Sequence, residues 1–312
     1  EENYAMMCRW LAFCEKRASK THLHNMGNPY RKYLVDEGFH FGEWCQPDVD
    51  NTDVMKKTMM TGAPEVATAY YLRSAALLSA IAGILGHTED AAKYAAIADG
   101  AKKAYRYACT KGGKIESDRQ CEYVRPIAFG LLDGEETQLA ADTLNELVIK
   151  NGCHLNTGFL STPDLCRVLA DYGHIDTAYA LLLQDTCPGW LYAVKRGATT
   201  ILETWDGIRP DGTVHDSHNH YSYGAISGWL LTGVCGIRME GGKLIIRQQP
   251  HPSLGWAEAA WDSTCGRIES SWHYGKETLT FTLQLPIPGT VILPDGRELE
   301  AAEGEHRYEM HL

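Results

Sequence analysis

Ten cysteines are present, yet no Cys-x-x-Cys pair occurs. No cysteine–histidine spacing suits zinc either. Cys8, Cys14, Cys45, Cys109, Cys121, Cys153, Cys166, Cys187, Cys235 and Cys265 are scattered, several where a small apolar residue would serve. They read as reduced core positions, which points to a reducing compartment such as the cytoplasm. No apolar run reaches the roughly 18 residues a membrane span needs. There is no basic excess: the net charge of −11 argues against a nucleic-acid partner. An initiator methionine and a signal peptide are missing too. The chain opens directly into a helical pattern, Asn3 to Phe13, as a fragment lacking its N-terminal part would.

What is present is ordinary in bulk and particular in detail. The 312 residues, 44% hydrophobic and 22% charged, suit a soluble protein of about two domains. Eight tryptophans and sixteen tyrosines in an acidic chain fit a neutral ligand with stackable faces. Met7, Trp10, Leu11 and Cys14 repeat at helical spacing in 3–18. Residues 19–62 are polar and irregular, with Gly27, Pro29, Gly38, Gly42, Pro47 and Gly62. Helices follow over 64–85, 88–109 with Thr88 as N-cap, and 119–132, interrupted by Pro126 and ended by Gly134. Further helices are expected over 135–150 (Leu139, Leu144, Leu147 and Val148 inward), 162–172 and 174–184, and last over 219–234, with Ile226, Trp229 and Leu230 on its apolar face. After Gly236 the pattern turns strand-like, at 243–247, 265–272, 278–283 and 290–293. The expectation is a helical domain over 1–236 and a small antiparallel β-sandwich over 237–312.

Two stretches carry chemistry. Gly197-Ala198-Thr199-Thr200-Ile201-Leu202-Glu203-Thr204-Trp205-Asp206 sets a carboxylate between a β-branched run and a tryptophan. His215-Asp216-Ser217-His218-Asn219-His220-Tyr221 follows closely. Flat apolar faces beside an acid are what a sugar cleft needs. The plain alternative is a buried structural glutamate. A third stretch, Phe39-His40-Phe41-Gly42-Glu43-Trp44, is an aromatic–acid cluster in a loop, and Trp44 is either a ligand wall or core. His220 is likewise a ligand contact or a satisfied core histidine. His215, His218 and His220 lack a carboxylate partner on one helix face, so no metal is assigned. No cofactor is assigned. The run Asp48 to Asp53 lacks the glycine and closing glutamate of a calcium loop and reads as helix-capping acids.

Several segments appear in a telling order: Gly42-Glu43-Trp44, Thr68-Ala69-Tyr70-Tyr71, Leu85 to Tyr94, Thr157 to Thr162, Pro188-Gly189-Trp190-Leu191-Tyr192, Gly197 to Trp205, and Asn219-His220-Tyr221. Together they resemble the bacterial α-L-rhamnosidases of glycoside hydrolase family 78, over nearly the whole chain. The resemblance implies an incomplete (α/α)6 barrel of the six-hairpin glycosidase type, followed by the β-sandwich. It implies inverting hydrolysis of terminal α-L-rhamnose, with Glu203 as general base. Trp44, Glu43 and His220 would contact the sugar, and Trp190 and Trp205 would pack the base from behind within the same binding set. Inversion also needs a carboxylic acid roughly 6.5–9.5 Å from the base. The family carries it in an Arg-Asp-Glu-Arg type segment upstream of the matching region, and no such segment occurs here. Two positions depart from the pattern: Glu43 stands where the family usually has Asp, and Gly189 where it usually has Ser. The implied partner is a rhamnose-containing oligosaccharide or glycoside, with neither nucleic acid nor membrane, and a homodimer is compatible. Another inverting (α/α)6 hydrolase or phosphorylase, or a catalytically incomplete carbohydrate-binding fragment, are the competing readings.

Overall fold

The computed structural model describes residues 1–20, 23–61 and 63–312. Gly62, counted above with the loop glycines, lies outside the described residues, as do Thr21 and His22. The chain divides into two compact units, Glu1–Ser161 and Thr162–Leu312.

The first unit is helical: α1 (Tyr4–Ala18), α2 (Asn51–Thr61), α3 (Pro64–Ile84), α4 (Thr88–Cys109), α5 (Cys121–Ala128) and α6 (Gly134–Lys150). Its core is the α3–α4 hairpin. Ala69, Tyr71, Leu72, Ala75, Leu78 and Ala82 of α3 pack with Tyr94, Ile97, Ala101 and Tyr105 of α4, and Leu11 of α1 joins them. Alanines on both helices let the axes approach closely while the tyrosines fill the remaining volume. In α1, Leu11 is buried but Trp10 is 55% exposed and stacks on Phe13 at 5.6 Å. Trp10 lies about 100° from Leu11 around the helix, off the buried stripe.

Four sequence expectations are corrected here. The 19–62 stretch is not all irregular, because 51–61 is helical. The Asp50 carboxylate accepts from the Thr52 amide at 2.6 Å, so the capping acids do begin a helix. The helix expected over 119–132 is only α5: it starts after Gln120 and ends at Ala128. Gly134 does not close it but opens α6, where Glu136 accepts from the Asp133 amide at 3.2 Å. In α6, Leu144 and Val148 are buried while Leu139 is exposed.

The second unit begins with α7 (Thr162–Asp171), α8 (Ile175–Leu182) and α9 (Trp190–Lys195). The single helix expected over 219–234 starts at Ser222 and changes pitch twice. A 3-10 turn (Ser222–Ala225) leads into α10 (Ile226–Trp229) and a π-type turn (Leu230–Val234). The wide turn coincides with Gly233, where a side chain would collide with the Trp229 indole. That indole donates to Gln249 Oε1 at 3.2 Å. Leu230, placed on the apolar face by periodicity, is exposed.

The β region has eight strands among the described residues: β1 (Ile237–Glu240), β2 (Lys243–Ile246), β3 (Trp256–Ser263), β4 (Gly266–Tyr274), β5 (Thr278–Leu285), β6 (Gly289–Ile292), β7 (Glu298–Ala301) and β8 (Gly304–His311). They form two four-stranded sheets, ordered β1-β2-β6-β7 and β3-β4-β5-β8. All pairings are antiparallel except β2–β6, where Leu244 to Ile246 run parallel to Gly289 to Val291. Leu279, Phe281, Leu283 and Leu285 alternate inward along β5, with Ile268 and Trp272 beside them on β4 and Leu244, Ile246 and Val291 on the other sheet.

Candidate active site

Glu203 sits in a segment that is not a regular strand but is pinned like one. Its amide donates to Ser217 O at 2.9 Å, and the Ser217 amide donates back to Glu203 Oε2 at 3.1 Å. Two residues earlier, Ile201 O accepts from the His220 amide at 2.9 Å. Thr200 Oγ1 also donates to His218 O. The Gly197–Asp206 and His215–Tyr221 stretches are therefore one paired structure, which brings Glu203 and His220 onto the same scaffold. Glu203 is half-buried, and one of its oxygens is engaged. Among the described residues no hydrogen bond occupies Oε1. A carboxylate anchored by one oxygen with the other available is arranged to take a proton from a bound molecule.

The flanking groups fix this loop. The ring of His215 lies between two acids: Nδ1 is 2.7 Å from Asp216 Oδ2, and Nε2 is 3.4 Å from Asp206 Oδ2. The hydrogen bond to Asp216 favours the imidazolium and holds its pKa above the usual histidine value. Thr204 Oγ1 donates to the same Asp216 oxygen at 3.3 Å. Asp216 has φ +56°, a left-handed turn that aspartate tolerates.

Behind the loop lies an aromatic block. Trp205 stacks on Tyr223 at 3.9 Å and meets Trp190 edge-on at 5.5 Å. Trp190 Nε1 donates to Tyr223 O at 3.0 Å. Trp190 and Trp205 are both buried, so they are scaffold and not surfaces open to a sugar. His220 is half-buried, with its ring parallel to that of the exposed Tyr221 at 5.3 Å. These are properties of the second unit.

Glu43 and Trp44 belong to the first unit and point opposite ways. Glu43 is 4% exposed, and its carboxylate is fully engaged. Oε1 accepts from the amides of Gly158 at 2.8 Å and Ser161 at 3.0 Å. Oε2 accepts from Ser161 Oγ at 3.0 Å and from Arg125 Nη1. The direct sugar contact expected of Glu43 is therefore corrected, because no oxygen of it is left to offer. Trp44 is half-buried and meets Phe41 edge-on at 5.2 Å, which meets Phe39 at 5.0 Å. Phe39 and Phe41 are exposed, so the three rings form an aromatic ladder at the surface of this unit.

Sequence reasoning missed Arg125, Glu65, Ser161 and Ser217. Arg125 is 1% exposed, and Glu65 holds it at 2.9 and 2.5 Å. Burial works against charge on Arg125, but Glu65 and Glu43 outweigh it and hold the guanidinium protonated. A lone arginine inside the apolar run Tyr123-Val124-Arg125-Pro126-Ile127 was the available signal. A cavity of about 570 Å³ opens beside this network, with Glu65, Glu122, Arg119 and His40 in its wall. Among the described residues no cysteine is in a disulfide. Among the described residues no group of histidine, cysteine and acidic side chains is placed to hold a metal ion, and no helix is long and apolar enough to cross a membrane.

Helical hairpins followed by a two-sheet β region are the architecture, and the second unit carries a half-engaged carboxylate against packed aromatics. Residues 1–234 match the family model described as the bacterial alpha-L-rhamnosidase six-hairpin glycosidase domain, and residues 242–308 match the corresponding C-terminal domain. The chain belongs to the bacterial α-L-rhamnosidase family. It is 34% identical over 297 residues to an alpha-L-rhamnosidase of Formosa agariphila, covering 92% of this chain and 30% of that protein. A second, from Streptomyces avermitilis, is 36% identical over 229 residues, covering 71% of this chain and 22% of that one. The crystal structure of a Streptomyces avermitilis alpha-L-rhamnosidase complexed with L-rhamnose superposes with a TM-score of 0.85 at 29% identity, over 99% of this chain and 30% of that one. An Aspergillus terreus rhamnosidase gives 0.81 at 27% identity, over 88% of this chain and 33% of that one. The chain thus spans about a third or less of these relatives.

Proposed function

We propose that this chain supplies the base-bearing part of an α-L-rhamnosidase that removes terminal α-L-rhamnose from glycosides with inversion. The observation that carries the reading is the half-engaged carboxylate of Glu203. Ser217 fixes one oxygen, and the other is available to a water molecule. In this mechanism Glu203 takes the proton of the water as it attacks the anomeric carbon. A carboxylic acid outside these 312 residues, as the family pattern implies, protonates the leaving oxygen. In the second unit His220 bonds a sugar hydroxyl; in the first unit, taken by itself, Trp44 offers an apolar face to carbohydrate. The aromatic block of Trp190, Trp205 and Tyr223 keeps the Glu203 loop in place. We place the boundary between the helical and β domains at 236/237. The gap between the two matched family regions supports it.

In the full-length protein, Glu203→Gln should lower kcat for an aryl α-L-rhamnoside by about 10²–10⁴-fold, with KM and the thermal midpoint little changed. Unchanged turnover would remove Glu203 from the role. NMR of the first sugar released should show the β anomer, and release of α-rhamnose would overturn inversion.

A further inference from the structure

The Glu43 network has no place in the chemistry just described, yet it is among the most thoroughly bonded features of the first unit. Resting on the reading of Trp44 as a sugar-facing ring, we propose that Glu43, Arg125 and Ser161 are positioning residues that set the orientation of Trp44.

The argument runs through the backbone on either side of Glu43. Its side chain turns inward and binds the 158–161 segment through two amides and one hydroxyl. The next residue, Trp44, is tied to the same segment, because its carbonyl accepts from the Phe159 amide at 2.9 Å. The two strands of chain lie so close at this point that a side chain on Gly158 would collide with the Trp44 carbonyl. After Trp44 the chain reverses at Cys45, which has φ +57°. The Cys45 amide donates to Asn51 Oδ1 at 2.9 Å. Trp44 therefore has its backbone fixed on both sides while its ring stays at the Phe39–Phe41 ladder. Arg125 locks the arrangement from below. It donates to Glu43 Oε2 and to Ser161 Oγ at 2.7 Å, and Glu65 holds its remaining edge. A buried charge with every partner in place has one low-energy geometry, which makes it suited to holding a neighbour still.

Such a clamp acts on binding. The test uses the full-length protein and an aryl α-L-rhamnoside, with Trp44→Phe as the background for the Trp44 emission. Glu43→Gln should raise KM about tenfold, the scale of a lost aromatic contact. It should leave kcat within about twofold and make the Trp44 fluorescence easier to quench with acrylamide. Glu43→Asp, which keeps the charge that Arg125 needs, should recover most of both. Ser161→Ala serves as the milder variant if Glu43→Gln does not fold, with the same shifts at smaller size. Unchanged Trp44 quenching in the folded variants would overturn the clamp. If Trp44→Ala leaves KM unchanged while Glu43→Gln still loosens Trp44, the sugar-facing reading of Trp44 falls and the clamp stands. If Trp44→Ala raises KM and Glu43→Gln moves neither KM nor quenching, the clamp falls and the reading of Trp44 stands.

Discussion

Two glutamates face opposite demands. Glu43 has both oxygens occupied, is closed off from water and is neutralised by a buried arginine. Glu203 has one oxygen held by a backbone amide and is only half-buried. The first has all its bonding positions filled by Gly158, Ser161 and Arg125, so it is fitted to hold structure. The second keeps an oxygen with no hydrogen bond among the described residues, which is the geometry on which the proposed role of Glu203 rests. Chemical identity and aromatic neighbours are the same in both cases, and what separates them is how many bonding positions the fold has already filled.

The sharpest way to break that comparison is to remove the partner of the closed glutamate. Arg125→Met strands Glu43 and Glu65 without their common cation inside the first unit. Removing one partner of a buried pair costs about 3–5 kcal/mol. For a unit of this size that corresponds to a fall in thermal midpoint on the order of 10 °C. Glu203→Ala, which gives up one hydrogen bond to the Ser217 amide, should lower the midpoint by only about 2–4 °C. Calorimetry of the two variants decides it. Equal midpoints would mean that the Glu43 network does not contribute to stability as its geometry implies.

A smaller effect tests the close approach instead of the charge. Gly158→Ala puts a methyl group against the Trp44 carbonyl, where backbone and not a flexible side chain must yield. Overpacking of this kind costs about 1–3 kcal/mol. The midpoint should fall by less than in Arg125→Met, and Trp44 quenching should increase with it. A variant as stable as the parent would show that the 158–161 segment can retreat without penalty.

The sequence disclosed these elements unevenly, for physical reasons. The four strands it indicated, β2, β4, β5 and β6, are the inner strands of their sheets. The four it did not, β1, β3, β7 and β8, are the edges. An inner strand is paired on both sides and holds an alternating buried face. An edge strand such as β8, with Glu305, Arg307, Glu309 and His311 exposed, carries charge to discourage further pairing and loses the apolar signal. Glu203 was legible because its neighbours Ile201, Leu202 and Trp205 surround it within one short stretch. The Arg125 network was not, because its members lie 36 to 118 residues apart. Glu43 stood out as an acid in an aromatic loop and was read as a sugar contact, because no local pattern distinguishes a carboxylate facing a ligand from one facing an arginine far along the chain.

The most delicate difference between the two regions is in pH response. The Glu203 loop is steadied by His215, whose ring touches Asp216 and Asp206, and Asp216 in turn accepts from Thr204 beside Glu203. The folded pKa of His215 is raised, chiefly by the hydrogen bond to Asp216. A histidine whose pKa rises on folding contributes stability that is complete below its unfolded value, about 6.5. That contribution is lost as pH climbs through the higher folded value. Loop order around Thr204 should therefore decline on the alkaline side of neutral histidine titration, while the Glu43 clamp, built on an arginine, should not respond there. NMR titration of the His215 ring should give a midpoint above about 6.5, and Asp216→Asn should bring it back down. A midpoint at or below that value in the parent would mean that the Asp216 contact does not hold His215 charged in solution, and the alkaline loosening of the Glu203 loop would not be expected.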